Sequence, residues 1–600
     1  MCICILTILS CKEKNTYTPQ TDITQNTVNW KPAQKIYLDA INDAITHIET
    51  LSNIDPKTPQ AKEVFKNLRI AFKKAEPYAS YLNPSVGHKA NGPALPIYKE
   101  DNGKVLNPIG LQKIEESIYD RGTDPREYAA ELKTTKGLLS ILKKNIEKRD
   151  LNAKRYFIAT HQQLFRIMSF SISGFDTPVS HLGISESIVS LENLLSTYKA
   201  GIQPIIISKN EALDNSFQDE ITRGISFIRK NTDFDSFDRY TFIQQHFTPI
   251  TKKWASIRKK SGLWDGAKNQ PFNFNAPTFF ENDTFNTSFF MPSTNQNITP
   301  EQIALGKKLF SDSIISNNGT MSCATCHIAD KAYTDGLMVN INNSGGNLKR
   351  NTPTLINTIF QQNFFWDGRS NTLIDQVSSV FLNEVEFNTG VHQFSKEILQ
   401  NKEYESLFIE AYGKLSNRNT DIIKAISAYV ATLNGFDSKF DKNMRDIERS
   451  FTKEEQLGMN LFMGKALCAT CHFMPLTNGT VPPFLSETER EVIGVPETAE
   501  NTTLDNDLGY YATFEEKLHK GMFKTPTVRN AALTAPYMHN GVYQTLEEVM
   551  DFYNKGGGGG LGFDLDHQTL PFDNLNLSKE EISSLVAFIK TLNDTNVDQY

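Results

Sequence analysis

The sequence predicts a mainly α protein in two unlike parts, and three observations predict it. From Ala33 to about Lys260, apolar residues recur at three- and four-residue spacing, as in Ile36-Tyr37, Ile41, Ile45, Ile48 and in Leu138-Leu139, Leu142, Ile146. That is the period of helices that bury one stripe. Beyond Thr299 the texture changes to short helices and long Gly/Asn/Pro loops. Within this second part a helical segment followed by Cys-x-x-Cys-His occurs twice. Glu301-Gln302, Leu305-Gly306 and Leu309-Phe310 precede Cys323-x-x-Cys326-His327; Glu455-Gln456-Leu457-Gly458 and Leu461-Phe462 precede Cys468-x-x-Cys471-His472. Each reads as a short helix ending just before its motif. The fold expected is a helical bundle followed by two related domains in tandem.

In chain order, Met1–Cys11 is a short apolar stretch ending Ile8-Leu9-Ser10-Cys11, the pattern of a lipoprotein-type signal whose cysteine is lipidated. Residues 12–32 are rich in Thr, Asn and Gln and read as a tether. The bundle occupies 33–264. Residues 265–299, with Asn269-Gln270-Pro271-Phe272 and Ala276-Pro277-Thr278, form a linker. The first tandem domain runs over 300–450 and the second over 451–595. No other stretch reaches the roughly 18 apolar residues of a membrane-spanning helix.

Of seven cysteines, four lie in the two motifs and the others are Cys2, Cys4 and Cys11. The body of the chain therefore has none left for a structural disulfide. Paired thiols that add across haem vinyl groups, with the adjacent histidine as iron ligand, are the chemistry of Cys-x-x-Cys-His. One copy also suits zinc. Two copies, with no further Cys pairs to complete tetrahedra, point to two covalently bound haem c. Such attachment occurs outside the cytoplasm, which places the chain in the periplasm or cell envelope, lipid-anchored to the outer membrane. A formal net charge of −7 and no dense Lys/Arg run argue against nucleic acid as a partner. A membrane partner is then expected only through the lipid anchor.

The region 300–593 resembles the bacterial diheme cytochrome c peroxidase family. The resemblance rests on Arg350-Asn351-Thr352-Pro353-Thr354-Leu355-Ile356-Asn357, Phe365-Trp366-Asp367-Gly368-Arg369, Gln376 and Glu386 in the first domain. In the second it rests on Phe523-Lys524-Thr525-Pro526-Thr527-Val528-Arg529-Asn530 and Pro536-Tyr537-Met538-His539-Asn540-Gly541. It implies that Glu386 is the acid/base that moves a proton between the oxygens of hydrogen peroxide, and that Gln376 orders the same pocket. It implies that Trp366 relays electrons between the haems. Arg369 and Arg529 become candidates for pairing with haem propionates. Asn351, with the backbone oxygens of Thr534 and Pro536, matches a calcium site at the interdomain seam.

Two departures from the family pattern carry weight. Where some members place a histidine that caps the first iron, this chain has Asn343, so the first haem is expected to be open. Fourteen residues after His539, where a ligand methionine is usual, stands Tyr553. Tyrosine at this place is the MauG-like variant, found in the enzyme that matures methylamine dehydrogenase. Met550, one helical turn earlier on the same face, is the alternative. A phenolate lowers a haem potential and a thioether raises it. The Gly556–Gly560 run reads as a mobile loop ending that helix.

The N-terminal bundle weakly resembles imelysin-like domains, with Gly110-Leu111-Gln112-Lys113-Ile114-Glu115 in place of a G-x-H-x-x-E helix. Gln112 stands where a metal-binding histidine would be, which favours a scaffold or docking role. His47, His88, His161, His181 and His246 show no ligand spacing. The expected activity is that of an exported peroxidase that uses hydrogen peroxide and a small cytochrome c or cupredoxin donor. The alternatives are a MauG-like enzyme acting on a protein substrate and a non-catalytic electron-transfer cytochrome. A homodimer is the assembly left open.

Overall fold

The computed structural model describes residues 28–92, the strand backbones 97–99 and 104–106, and residues 108–120, 124–389, 398, 400–413, 419–565 and 567–594. The signal and the tether as far as residue 27 lie outside the described residues. The bundle forms where the periodicity predicts it, with long helices at Lys31–Leu51, Pro59–Leu82, Pro125–Lys148, Ala153–Arg166, Gly183–Ala200 and Thr248–Ser261, and a helical segment Gln203–Lys230 broken by a kink at Asn210. Local sequence sets their starts. The Thr58 hydroxyl accepts from the Ala61 amide with Pro59 in the first turn, and Asn152 caps the helix that follows it. The first two helices pack along their length, and Tyr37 meets Tyr78 at 5.7 Å between ring centroids. One antiparallel strand pair, Ile97–Lys99 with Lys104–Leu106, interrupts the helical order.

A chain of buried charges runs through this bundle. Arg69 forks onto Glu186 at 2.6 and 2.7 Å. Lys73 bonds Glu76 at 2.9 Å and Asp176 at 2.7 Å, and Asn91 links Arg69 to Asp176. Buried charges are tolerated only when paired in this way. Their placement has a consequence: Asp176 sits in the loop after the helical turn Ile167–Ser171, so the network fixes that loop.

The two tandem domains repeat one helix pair. Helix Pro300–Ser311 crosses Asn419–Thr432, and helix Lys453–Met463 crosses Lys579–Thr591. Both leading helices start with a capping box, Thr299 with Gln302 and Thr452 with Glu455. Both carry the repeated glycine at the crossing: a Cβ on Gly306 would strike the Ala425 carbonyl, and one on Gly458 the Ser584 carbonyl. The Leu-Gly pair of the sequence repeat is thus a close backbone approach made twice. The spacing to the motif differs, because a further turn at Ser313–Ile315 follows the first helix before Cys323.

Two expectations change. Residues 265–299 are not a free linker. Phe272, Phe279, Phe280 and Phe285 are buried; Phe272, Phe274 and Phe279 surround His161, and Phe285 lies on Phe360 and Phe436. The connection is a packed seam, because its aromatic residues have apolar surface to cover on both sides. The glycine run is likewise not a loose loop. Gly557–Gly560 forms a helical turn with Gly557 and Gly558 buried, pressed against Gly494 and Phe572 where side chains would collide.

The bundle docks on the second domain. The Tyr240 amide donates to Asn460 Oδ1 at 2.9 Å, and Phe170 and Phe175 lie on Phe473 at 5.5 and 5.2 Å. The turn Ile167–Ser171 packs on Cys468–Thr470, where Ala469 is buried and Thr470 half-buried; at the same places in the first motif Ala324 is half-buried and Thr325 exposed. The two Cys-x-x-Cys-His turns therefore face different surroundings.

Candidate active site

Both motifs open onto one cavity of about 1610 Å³. That exceeds the usual range for a single small ligand. Its wall carries Cys323, Cys326 and His327 at one end and Cys468, Cys471 and His472 at the other. The four thiols are unpaired, and among the described residues no three His, Cys, Asp or Glu side chains converge as a metal cage. Each imidazole is oriented from behind. His327 Nδ1 lies 2.9 Å from the Tyr333 carbonyl oxygen, and His472 Nδ1 lies 2.9 Å from that of Pro526. Donation from Nδ1 leaves Nε2 as the ligand atom. Burial pushes the His472 imidazole down to about 4 and lowers that of His327, which keeps both in the neutral form that binds iron. Thiols, imidazoles and cavity size fit two haem groups. His327 and His472 would hold the irons and the cysteines the porphyrin edges.

At the first end, the helix Leu373–Leu382, started by a Thr372 cap, brings Gln376 to the wall. The turn after this helix brings Glu386 to the same wall. Glu386 is half-buried, and Asn383 Nδ2 donates to its Oε2 at 2.5 Å. Burial raises its pKa, against the Asn383 hydrogen bond and the Arg369 charge, which lower it. Arg369 also lines the cavity. It pairs with Asp367 at 2.9 Å and lies 3.5 Å over the Phe365 ring. Asn343 does not line the cavity; it binds the backbone of the Glu386 turn.

At the second end, helix Leu546–Asn554 presents Met550 and Tyr553 to the cavity. Burial raises the Tyr553 phenol, and the Glu491 charge adds to it. Met538 lines the wall as well. Trp366 also lines the cavity, half-buried. Its indole nitrogen donates to the Asn351 carbonyl at 2.8 Å, and its own carbonyl accepts from the Lys524 amide at 2.7 Å. It therefore joins the first domain to the second.

Comparison with known proteins bears on this arrangement. A family model described as di-haem cytochrome c peroxidase matches residues 300–449. The cytochrome-c peroxidase IdrP1 of Pseudomonas sp. (strain SCT) is 31% identical over 310 residues, covering 49% of this chain and 80% of that protein. The chain belongs to the di-haem cytochrome c peroxidase and MauG family. The methylamine utilization protein MauG of Methylorubrum extorquens is similarly related, at 31% identity over 302 residues, covering 49% of this chain and 79% of its own length. Among solved structures, a MauG-like protein associated with microbial copper homeostasis is 28% identical with a TM-score of 0.46, over 51% of this chain and 93% of that one. The diheme peroxidase BthA from Burkholderia thailandensis E264 is 22% identical with a TM-score of 0.43, over 50% and 88%.

The family region also contains an ionic seam that the motifs alone did not disclose. Arg350 bonds Asp367 at 2.6 Å and forks onto Asp507 at 2.7 and 2.8 Å, tying the domains together. This pairing pushes the Asp507 carboxyl down to about 2 despite its burial. His539 stacks on Phe523 at 3.8 Å, bonds Asp505 at 2.9 Å, and accepts the Asn351 amide on its carbonyl. Arg350 and His539 both stand inside the quoted motifs, so their presence was legible although their pairing was not. Asn351, Thr534 and Pro536 line the same cavity, and the Asn351 side-chain amide donates to the Leu337 and Met338 carbonyls.

Arg529 departs from expectation. It is 1% exposed and absent from the cavity wall, and its nitrogens bond Asp441 at 2.9 and 2.8 Å and the Pro475 carbonyl at 3.0 Å. With its donors directed into protein, it serves the packing of helix Lys439–Met444 rather than a propionate.

The bundle contributes Gln112, Glu116, Gly174, Phe175 and Pro178 to the cavity wall, and Gln112 donates to the Phe175 carbonyl. Neighbouring Glu115 is fully buried. Its Oε1 accepts from the Ser180 amide at 2.7 Å, while Oε2 has no partner among the described residues. Burial pushes its pKa up to about 7. Stability contributed by the neutral acid is thus fully present below the ordinary value of 4.5 and lost as pH rises through about 7. Glu115→Gln is expected to gain stability relative to the parent at about pH 8, by up to ~3 kcal/mol, and little near the ordinary glutamate pKa. Urea unfolding at the two pH values measures the difference. Equal differences at both would contradict it.

Proposed function

We propose that this chain is an exported diheme peroxidase that reduces hydrogen peroxide to water with electrons from a small redox protein entering through the second haem site. The observation that carries the reading is the single cavity in which two Cys-x-x-Cys-His motifs, Glu386, Gln376 and Trp366 meet. When bound, the haems supply the redox chemistry, two electrons and two protons converting one peroxide to two waters. Glu386 takes the proton from the near oxygen of peroxide and returns it to the leaving oxygen. Its raised pKa favours the return step, and Asn383 holds the carboxylate in place. Gln376 offers an amide to the same pocket, and Arg369 stabilises negative charge beside it. Trp366 bridges the domains along the path between the sites. A calcium ion held by Asn351 and the Thr534 and Pro536 carbonyls is part of the proposal, as are export and a lipid anchor at Cys11.

A second reading rests on Tyr553. A tyrosine in the ligand place favours the MauG-like alternative, in which residues of a partner protein supply the electrons. Tyr553→Met is expected to raise the midpoint potential of the second haem, by on the order of 0.1 V or more. An unchanged potential in a redox titration would assign the ligand to Met550 instead.

The test of function is peroxide-dependent oxidation of a reduced small cytochrome c by the holoprotein. Saturable turnover supports the peroxidase. Peroxide consumption without oxidation of any small donor, accompanied by oxidised residues on a partner protein, supports the MauG-like alternative.

A further inference from the structure

We infer that Asn343 is the positioning residue of Glu386, an inference that rests on the acid/base role proposed above. Asn343 lies on the loop after the first Cys-x-x-Cys-His motif. Its Nδ2 donates to the carbonyls of Glu384 at 2.7 Å and Glu386 at 2.8 Å, and its backbone amide donates to the Val385 carbonyl at 3.1 Å. One residue thereby closes three consecutive carbonyls of the turn that carries the acid. The pattern needs a short side chain with two N–H groups on one nitrogen, which a primary amide supplies and serine, aspartate or histidine does not.

The staple is itself anchored. The Asn343 carbonyl accepts from Asn318 Nδ2 at 3.2 Å, its Oδ1 accepts from the Ser344 hydroxyl at 2.9 Å, and Asn317 donates its amide to the Phe387 carbonyl at 2.9 Å. Within the turn, the Glu386 and Asn388 amides both donate to the Asn383 carbonyl, while Asn383 Nδ2 holds the Glu386 carboxylate. Asn383 thus sets the side chain and Asn343 sets the backbone beneath it. The residue at the place of the capping histidine has no imidazole to offer an iron; it fixes the group that acts on peroxide instead.

The experiment uses the holoprotein with Asn343→Asp, which keeps shape and backbone but loses both side-chain donors, and Asn343→Ala. Each is compared at equal haem content. Hydrogen–deuterium exchange over residues 383–389 is expected to quicken about tenfold. The rate of peroxide consumption is expected to fall about 10–100-fold, as displaced catalytic groups do. Added to Glu386→Gln, either change is expected to cost nothing further. Exchange at the parental rate removes the staple, and faster exchange with an unchanged peroxide rate makes it structural only. A full additional loss on top of Glu386→Gln assigns Asn343 another role; each of these results overturns the inference. Glu386→Gln alone at parental rate instead removes the acid/base reading, so the two failures are told apart.

Discussion

Glu386→Gln is expected to lower the rate at which the holoprotein consumes hydrogen peroxide by about 10²–10⁴-fold, the usual contribution of a positioned acid–base group. Glutamine keeps the volume and the hydrogen bond from Asn383 but can neither take nor return a proton. Both haem attachments lie elsewhere on the wall and are expected to persist. The parental pH profile follows from the environment of Glu386. The carboxylate is the form that accepts the first proton, and burial raises its pKa. The acid limb is therefore expected above the ordinary glutamate value of 4.5. Arg369 opposes that shift. Arg369→Ala should move the limb to still higher pH, whereas in Glu386→Gln the limb should vanish. Stopped-flow peroxide kinetics across pH measure all three. A parental rate in Glu386→Gln, or a limb that ignores Arg369, would contradict the assignment.

Arg529→Ala is expected to destabilise the protein by about 3–5 kcal/mol, the cost of leaving a buried charge without its partner. Arg529 and Asp441 are 1% and 0% exposed, and the guanidinium lies 4.6 Å over the Phe436 ring. Its loss leaves the buried Asp441 carboxylate with only the Ser438 amide and hydroxyl as partners. Arg529→Met combined with Asp441→Leu is expected to recover only part of the loss, because the ion pair is replaced by apolar groups while the Ser438–Asp441 cap of helix Lys439–Met444 is lost. Arg369→Ala supplies the contrast. Its ion pair with Asp367 is 37% exposed on the arginine side, and such pairs contribute roughly 0–1 kcal/mol. Its effect should therefore appear in peroxide kinetics and barely in unfolding. Denaturant titration of the three variants decides the matter. A cost below about 1 kcal/mol for Arg529→Ala would return that residue to the list of propionate partners.

The difference between these two arginines marks where sequence reading stops. Both stand in family motifs, and guanidinium chemistry suits a propionate in either place. What separates them is Asp441, 88 positions away, which no local pattern connects to Arg529. The helical class was legible because apolar period and capping residues are local signals, and so was the haem chemistry, because Cys-x-x-Cys-His is a contiguous motif. The doubled glycine at positions 306 and 458 was visible as a repeat, but its cause, a carbonyl on another helix, was not. The glycine run misled for the same reason. Its flexibility is a property of the free chain, and contact with Gly494 and Phe572 removes it. In the bundle, the degenerate motif at Gln112 and Glu115 offered a comparison with a metal site. The neighbouring charge network and the wall formed by Phe175 depend on contacts made only after folding.

The bundle also alters the setting of the second haem site. Phe170 and Phe175 against Phe473, and the turn Ile167–Ser171 against Cys468–Thr470, cover this motif more fully than the first, whose Thr325 is exposed. The same segment is held by Asp176 through Lys73 and Asn91. The buried ionic network therefore reaches, through one loop, the wall of the redox cavity.

The proposed peroxidase couples peroxide reduction at the first site to electrons delivered from outside. Stoichiometric titration under anaerobic conditions tests it most directly: hydrogen peroxide is added in limiting amounts to the holoprotein with an excess of reduced small cytochrome c. Two donors are expected to be oxidised for each peroxide consumed, since two electrons convert one peroxide to two waters. Peroxide left intact, with donor and haem spectra unchanged, would contradict it.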